Sequence, residues 1–272
     1  MATKYVVTGD QALRIGNRLA EIQRQVFLQK EYPHDPEDLI RYLQGAADGK
    51  FVGQATGNEI REIEVTDPPR IIVPNLRSTY PTLAEWLEAR EELHKFFTGQ
   101  SVILRDMFAL TDEQLARTDL IPVFRPSGAT NRLAVDWKKK LGVDVYEETD
   151  VMKYKNSVGP KTPELYLISR SLRPDADTLG DNANTPDQLI QVPNKLWLNL
   201  YGWADADTLH FAITGEHLDP KTWTWFPNDR LPDGGVASGY WGGAGVCLRW
   251  RYAGGCGSYG GARAAVPVSL KT

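Results

Sequence analysis

Apolar residues near the start of the chain recur at threes and fours. Ala12, Ile15, Leu19, Ile22 and Val26 lay one stripe along a helix, and Thr8 with Gln11 has the spacing of a capping box at its start. Asp35-Pro36 is a second start signal, a cap followed by proline at the first helical position, before LIRYLQGAA and a stop near Gly49. The run EIREIEVTDPPRIIVP, residues 59–74, alternates and predicts two short strands around Asp67-Pro68-Pro69. Thr82 and Glu85 again have capping-box spacing, before LAEWLEAREELHKFF, whose Leu83, Trp86, Leu87, Leu93 and Phe97 form an apolar face. His94 in that helix reads as a solvated or hydrogen-bonded side chain rather than a ligand.

From Ile121 the period changes. IPVFRP, the segment Thr130 to Leu141 ending at Gly142, and VDVYEE predict strand, helix and strand, a βαβ unit with a parallel pair. The loop Arg125 to Asn131 precedes a helix N-terminus, but it lacks GxxxxGK[ST] and GxGxxG and reads as a loop with an N-cap. ELYLISR, residues 164–170, predicts a further strand. Residues 173–194, rich in Asp, Asn and Pro, show little periodicity and predict a long loop or linker.

The last stretch, Gly234 to Thr272, differs from all of this. From Val246 to Tyr252 it alternates, so that Val246, Leu248 and Trp250 face one way in a strand and Cys247, Arg249 and Arg251 the other. One face reads as core and the other as displayed surface. Ala264, Ala265, Val266, Val268 and Leu270 form a small apolar run that predicts a closing strand.

Composition sharpens the contrast. The 39 residues from 234 to 272 hold 11 of the chain's 24 glycines and both cysteines, but none of its 35 acidic residues. Over the whole chain of 272 residues the net charge is -4, which gives no electrostatic footprint for nucleic acid. The N-terminus lacks the apolar region of a signal peptide and no run approaches 18 apolar residues, so the expectation is cytoplasmic synthesis without a membrane span. Display at a surface is compatible with it. Cys247 and Cys256 give no disulfide framework, and a reducing compartment would keep them free.

Gly239-Tyr240-Trp241, the alternating VCLRWRY run and the terminal GARAAVPVSL resemble the ending of the variable proteins of diversity-generating retroelements. Upstream, Trp197, Gly202, Trp203, Trp223, Trp225 and the run Trp225-Phe226-Pro227-Asn228-Asp229 resemble the tryptophan-rich framework of that family. The resemblance covers about residues 190–272. It implies a C-type-lectin fold of the subtype shared with formylglycine-generating enzymes, carrying a ligand-binding face rewritten by adenine-directed mutagenesis. Mutated adenines in an asparagine codon yield Gly, Cys, Arg, Tyr and Ser among others, but never Trp, Lys, Glu, Gln or Met. Gly242, Gly243, Gly245, Cys247, Arg249, Arg251, Tyr252, Gly255, Cys256, Ser258 and Tyr259 lie inside that set and are the expected variable, ligand-binding positions. Trp241 and Trp250 lie outside it and, with Trp203 and Trp225, are the expected scaffold.

Other chemistry was weighed against this. Asp175, Asp177, Asp181 and Asn182 invite calcium, but Leu179 and Pro186 break the EF-hand order. Asp205, Asp207, His210, Glu216 and His217 invite a metal, yet no HExxH or CxxC supports one. Asn228 and Asp229 keep a calcium-dependent glycan lectin as an alternative, and Cys247 with Cys256 keeps a copper enzyme like those that generate formylglycine. The expectation is an α+β chain: a mainly helical region with a few strands over 1–120, an α/β segment and linker over 121–185, and a C-type-lectin-like ligand-binding domain over 186–272 with its variable region at 234–272. The expected function is receptor-like recognition of a ligand, protein by class, without catalysis or cofactor.

Overall fold

Thr82 opens the first described helix as its spacing with Glu85 predicts: its side chain accepts from the Glu85 N–H, and the Glu85 carboxylate accepts from the Thr82 N–H at 3.1 Å. That helix, α1 (Leu83–Thr98), ends at Gly99 with φ 72°, a left-handed position that glycine adopts without steric cost. In this computed structural model the described residues are 73–77, 79–179, 185–243, 245–254 and 259–271, and all fall within one unit of the chain, Asp67–Thr272. The helices expected near 8–26 and 35–49 and nearly all of the strand pair expected over 59–74 lie outside the described residues.

After α1 come two single-turn helices, α2 (Leu104–Met107) and α3 (Asp112–Leu115), then strand β1 (Leu120–Arg125) and helix α4 (Asn131–Lys140), capped by the Thr130 side chain. Strands β2 (Val145–Glu147) and β3 (Glu164–Ser169), the short helix α5 (Pro186–Leu189) and strand β4 (Leu196–Trp197) lead to helix α6 (Leu200–Thr214). Five strands close the chain: β5 (Trp223–Arg230), β6 (Val236–Trp241), β7 (Val246–Arg251), β8 (Gly260–Gly261) and β9 (Ala264–Val268). The strand expected from the alternation at 246–252 and the closing strand are both present.

These strands form two sheets. One is antiparallel throughout, in the order β1-β3-β9-β4; the other runs β2-β7-β6-β5-β8, with parallel pairs at both ends. The expected βαβ unit is therefore corrected. Strand β1 pairs antiparallel with β3, whereas β2 pairs with β7 in the other sheet, so α4 joins two sheets instead of crossing over within one.

The expected linker over 173–194 is corrected too. Asp175 Oδ2 accepts from the Ala264 N–H at 2.6 Å and Thr178 Oγ1 from the Ala262 N–H at 2.9 Å, so this segment is laced to the chain end. Because β9 lies between β3 and β4, segments 121–185 and 186–272 share one sheet and one core rather than forming separate domains. Helix α6 runs through that core. It is buried on nearly every side, and its Trp203 packs on Phe226 at 5.8 Å between ring centroids.

Candidate binding face

The mixed sheet has two faces, and the register assigns each side chain to one. Val246, Leu248 and Trp250 align with Trp241, Gly239 and Ala237 of β6 and with Thr224 and Phe226 of β5 on the face toward α6. Cys247, Arg249 and Arg251 align with Tyr240, Ser238 and Val236 on the other face, and Tyr146 of β2 stands opposite Cys247. Along β7 the inward Val246 and Leu248 are buried, while Arg249 is exposed and Cys247 and Arg251 are half-buried. Tyr252, just beyond the strand, is 77% exposed, Tyr259 61% and Tyr146 45%. The outer row of β7 thus carries the Cys247 thiol and the Arg249 and Arg251 guanidinium groups, on a strand anchored by the buried Val246 and Leu248.

Within the row, the Arg249 guanidinium lies 5.7 Å from the centroid of the Tyr240 ring. The Cys247 thiol lies 3.9 Å from the Gly245 carbonyl, and burial pushes it up from its ordinary range, the opposite of an activated thiolate. Burial likewise raises the Tyr240 hydroxyl.

The glycines of this region are unequal. An added Cβ on Gly242 would meet the Cys247 Sγ at 2.8 Å, a contact that a rotamer change relieves. Gly243 has φ 80°, so a branched or bulky residue there is strained. On Gly245 a Cβ would come within 2.7 Å of the Asp144 backbone oxygen, and only a backbone shift makes room. Of these three glycines, Gly242 has room for a side chain after a rotamer change, whereas Gly243 and Gly245 are held by the backbone. Gly255, Cys256 and Ser258 lie outside the described residues.

The four tryptophans expected as scaffold separate as well. Trp203 is fully buried, with its Nε1 donating to Asp219 Oδ2 at 2.7 Å. Trp225 is buried on the outer side of the sheet, packed with Val236, Ala253 and Trp223. Trp241 is half-buried and stacks on His217 with ring centroids 3.9 Å apart. Trp250 departs from the expectation: it is 41% exposed and leans over Gly235. Strand β2 ends opposite Leu248, so at Trp250 strand β7 pairs with β6 alone among the described residues. Behind the row, an added Cβ on Gly260 would come within 2.3 Å of the Trp223 Nε1 and 2.8 Å of the Trp225 Nε1, so both indoles close against that glycine.

Asp205, Asp207 and His210 have structural partners, while Asp181 and Asn182 lie outside the described residues. Asp205 Oδ1 accepts from Arg90 Nη2 at 2.7 Å; Asp207 is bonded to Lys138 and to His217 Nδ1; His210 Nδ1 meets the Glu216 carbonyl at 2.8 Å. Burial alone would raise Asp207, but Lys138 and His217 outweigh it and hold the carboxyl below the usual range. Asp229 turns inward to accept from the Leu200 N–H, and burial pushes its carboxyl up to about 6. It is not displayed for calcium. Asp177 pairs with Lys195 at 2.7 Å, and among the described residues no group of three or more His, Cys, Asp or Glu is placed to hold a metal ion. The loop before α4 is filled by the Arg125 guanidinium, which donates to the Ala129 and Val158 carbonyls at 3.0 Å each, and Gly159 packs on Gly128. Neither sits as an open phosphate cradle.

His94 is buried without a hydrogen bond to its Nδ1, edge-on to Phe124 and Trp137, and burial pushes it down to about 4. It is neither solvated nor hydrogen-bonded through that nitrogen, contrary to the reading of a lone helical histidine. Periodicity gave no sign of the buried ion pairs, because their members lie far apart in sequence; the one local hint was Asp205 and Asp207 inside an apolar helix between Asn199 and Gly215. Among the described residues no helix is long and apolar enough to cross a membrane. No protein-family model, curated protein or solved structure is similar enough to this chain to count as a match.

Proposed function

We propose that this chain is a receptor-like binding protein of the diversity-generating retroelement class, whose lectin-like C-terminal region presents exchangeable residues to a protein ligand. The observation that carries the reading is the division of labour along β7. Its inward Val246 and Leu248 are buried in the core while its outward Cys247, Arg249 and Arg251 face away from it, so that Arg249, the exposed member of the row, can change without altering that core. Arginine and tyrosine are the side chains that most often anchor protein interfaces, and Arg249, Tyr146, Tyr252 and Tyr259 offer them exposed. Core tryptophans such as Trp203 support the same reading, since large buried side chains fix a backbone on which surface substitutions change stability by only about ±0.5 kcal/mol.

The test is to sequence the 3′ end of the gene in many cells of its source population, together with the neighbouring DNA. Variation at adenine-matched codons for Gly242, Cys247, Arg249, Arg251, Tyr252 and Tyr259, beside a near-copy template and a reverse transcriptase gene, is the expected result. Invariant codons with no template nearby would overturn the proposal.

A further inference from the structure

Among the described residues most arginines meet a carboxylate. Arg90 pairs with Asp205, Arg132 with Glu147, Arg230 with Asp187 and Arg263 with Asp219, all within 2.6–2.8 Å. Arg249 and Arg251 do not: among the described residues neither forms an ion pair, and the one contact of this kind is Arg249 over the Tyr240 ring. The acids nearest these two do not pair with them: Glu148, whose N–H donates to the Leu248 carbonyl at 2.9 Å, is exposed and forms no ion pair among the described residues. Glu147 is held by Arg132 and Lys139, and Asp233 accepts from the Gly235 N–H at 2.9 Å. No acid follows Asp233 in the sequence, so the whole C-terminal stretch contributes cations to this face and no anions.

The two guanidinium groups project from the same side of one strand, two residues and therefore roughly 7 Å apart. Tyr146, opposite Cys247 on the same face, and Tyr252, next after Arg251 in the chain, have exposed rings. We infer that the partner of this face is an acidic protein segment, which places two carboxylates about one strand repeat apart against Arg249 and Arg251 and packs an apolar or aromatic side chain on the tyrosines. This inference rests on the binding function proposed above and adds the chemistry of the ligand. A nucleic acid fits less well, because the chain as a whole carries a net charge of -4 and would repel an extended polyanion beyond these two positions. Guanidinium forks grip carboxylates in two-point geometry, and charge complementarity of this kind decides which partner docks.

The experiment is selection of a phage-displayed library of random 12-residue peptides on the immobilised full chain. It is run in parallel on the double variant Arg249→Glu/Arg251→Glu and on Arg249→Lys/Arg251→Lys, each first checked for an unchanged melting temperature. The expected result is enrichment of peptides bearing spaced Asp or Glu on the native chain, persistence of that bias with lysines, and its reversal toward Lys and Arg on the glutamate variant. A selected acidic peptide should bind about tenfold more weakly to the Arg249→Ala/Arg251→Ala chain. Enriched peptides without acidic bias would overturn the inference while leaving a binding face in place. Enrichment of nothing on the native chain, or tighter binding of a labelled single-stranded oligonucleotide than of any acidic peptide, would overturn it as well. The failure of the retroelement reading would show separately, in an invariant gene.

Discussion

Arg263 reaches back 44 residues to set its Nη2 2.7 Å from Oδ1 of Asp219. Both side chains are buried, and Asp219 also accepts from Trp203 Nε1 at 2.7 Å and Thr224 Oγ1 at 2.6 Å. One carboxylate thereby ties the entry to β9, helix α6 and strand β5 together. Removing one member of such a pair leaves a charge stranded in the interior, which typically costs about 3–5 kcal/mol. Asp219→Ala and Arg263→Met are each expected to lower the urea unfolding free energy by that amount, and a loss under 1 kcal/mol in either would remove the tie from the account.

The outer row behaves differently. Arg249→Ala and Arg251→Ala are each expected to leave stability within about 0.5 kcal/mol of the native chain, because neither side chain has a carboxylate partner to strand. Thermal melts of the two variants decide this, and a large fall would place those arginines in the framework.

Trp203 and Trp250 should part company in the same assay. Trp203→Ala opens a cavity beside Phe226 and leaves Asp219 short of a donor, for an expected loss of about 3–5 kcal/mol. Trp250→Ala removes a 41% exposed indole and is expected to lose about 1 kcal/mol. Equal losses would mean that Trp250 is covered in solution.

Asp229 gives a signature in pH. Its folded carboxyl titrates at about 6, above the ordinary carboxylate value, so the fold is favoured by protonation and loses stability as the pH rises from about 4 through 6. Asp229→Asn retains an acceptor for the Leu200 N–H and cannot ionise. Denaturant titrations are expected to show it more stable than the native chain by about 1–2 kcal/mol at pH 8, with the gap closing near pH 4. A gap independent of pH would contradict a raised carboxyl.

His94 acts with the opposite slope. Its folded imidazole is pushed down to about 4 by burial, so between pH 6.5 and 4 the unfolded chain takes a proton that the folded one refuses, and stability falls as the pH falls. His94→Leu is expected to flatten that part of the stability profile by on the order of 2–3 kcal/mol across the window. An unchanged profile would show that the histidine ionises freely in the fold.

Legibility in the sequence followed the range of the interaction. Thr82 with Glu85, Thr130 before α4 and the alternation over 246–252 are local patterns, and each became the element it predicts. Pairing partners are not local. Nothing in IPVFRP or VDVYEE tells that β1 takes β3 while β2 takes β7, and so the expected βαβ unit dissolved into two sheets. The polar run 173–194 looked like a linker because its anchor, the backbone of Ala262 and Ala264, lies more than 80 residues away. Trp250 obeyed its alternation yet escaped burial, since the period chooses the side of the sheet and not the depth of cover on it.

Gly260 sets a limit that neither charge nor periodicity expresses. Two indole edges occupy the space where its side chain would stand, so a strand position one residue past the exposed Tyr259 has no vocabulary beyond hydrogen. Tolerance to change on this face therefore ends abruptly. On one side of that peptide bond the side chain stands 61% exposed; on the other, a single methyl group would collide with two indoles.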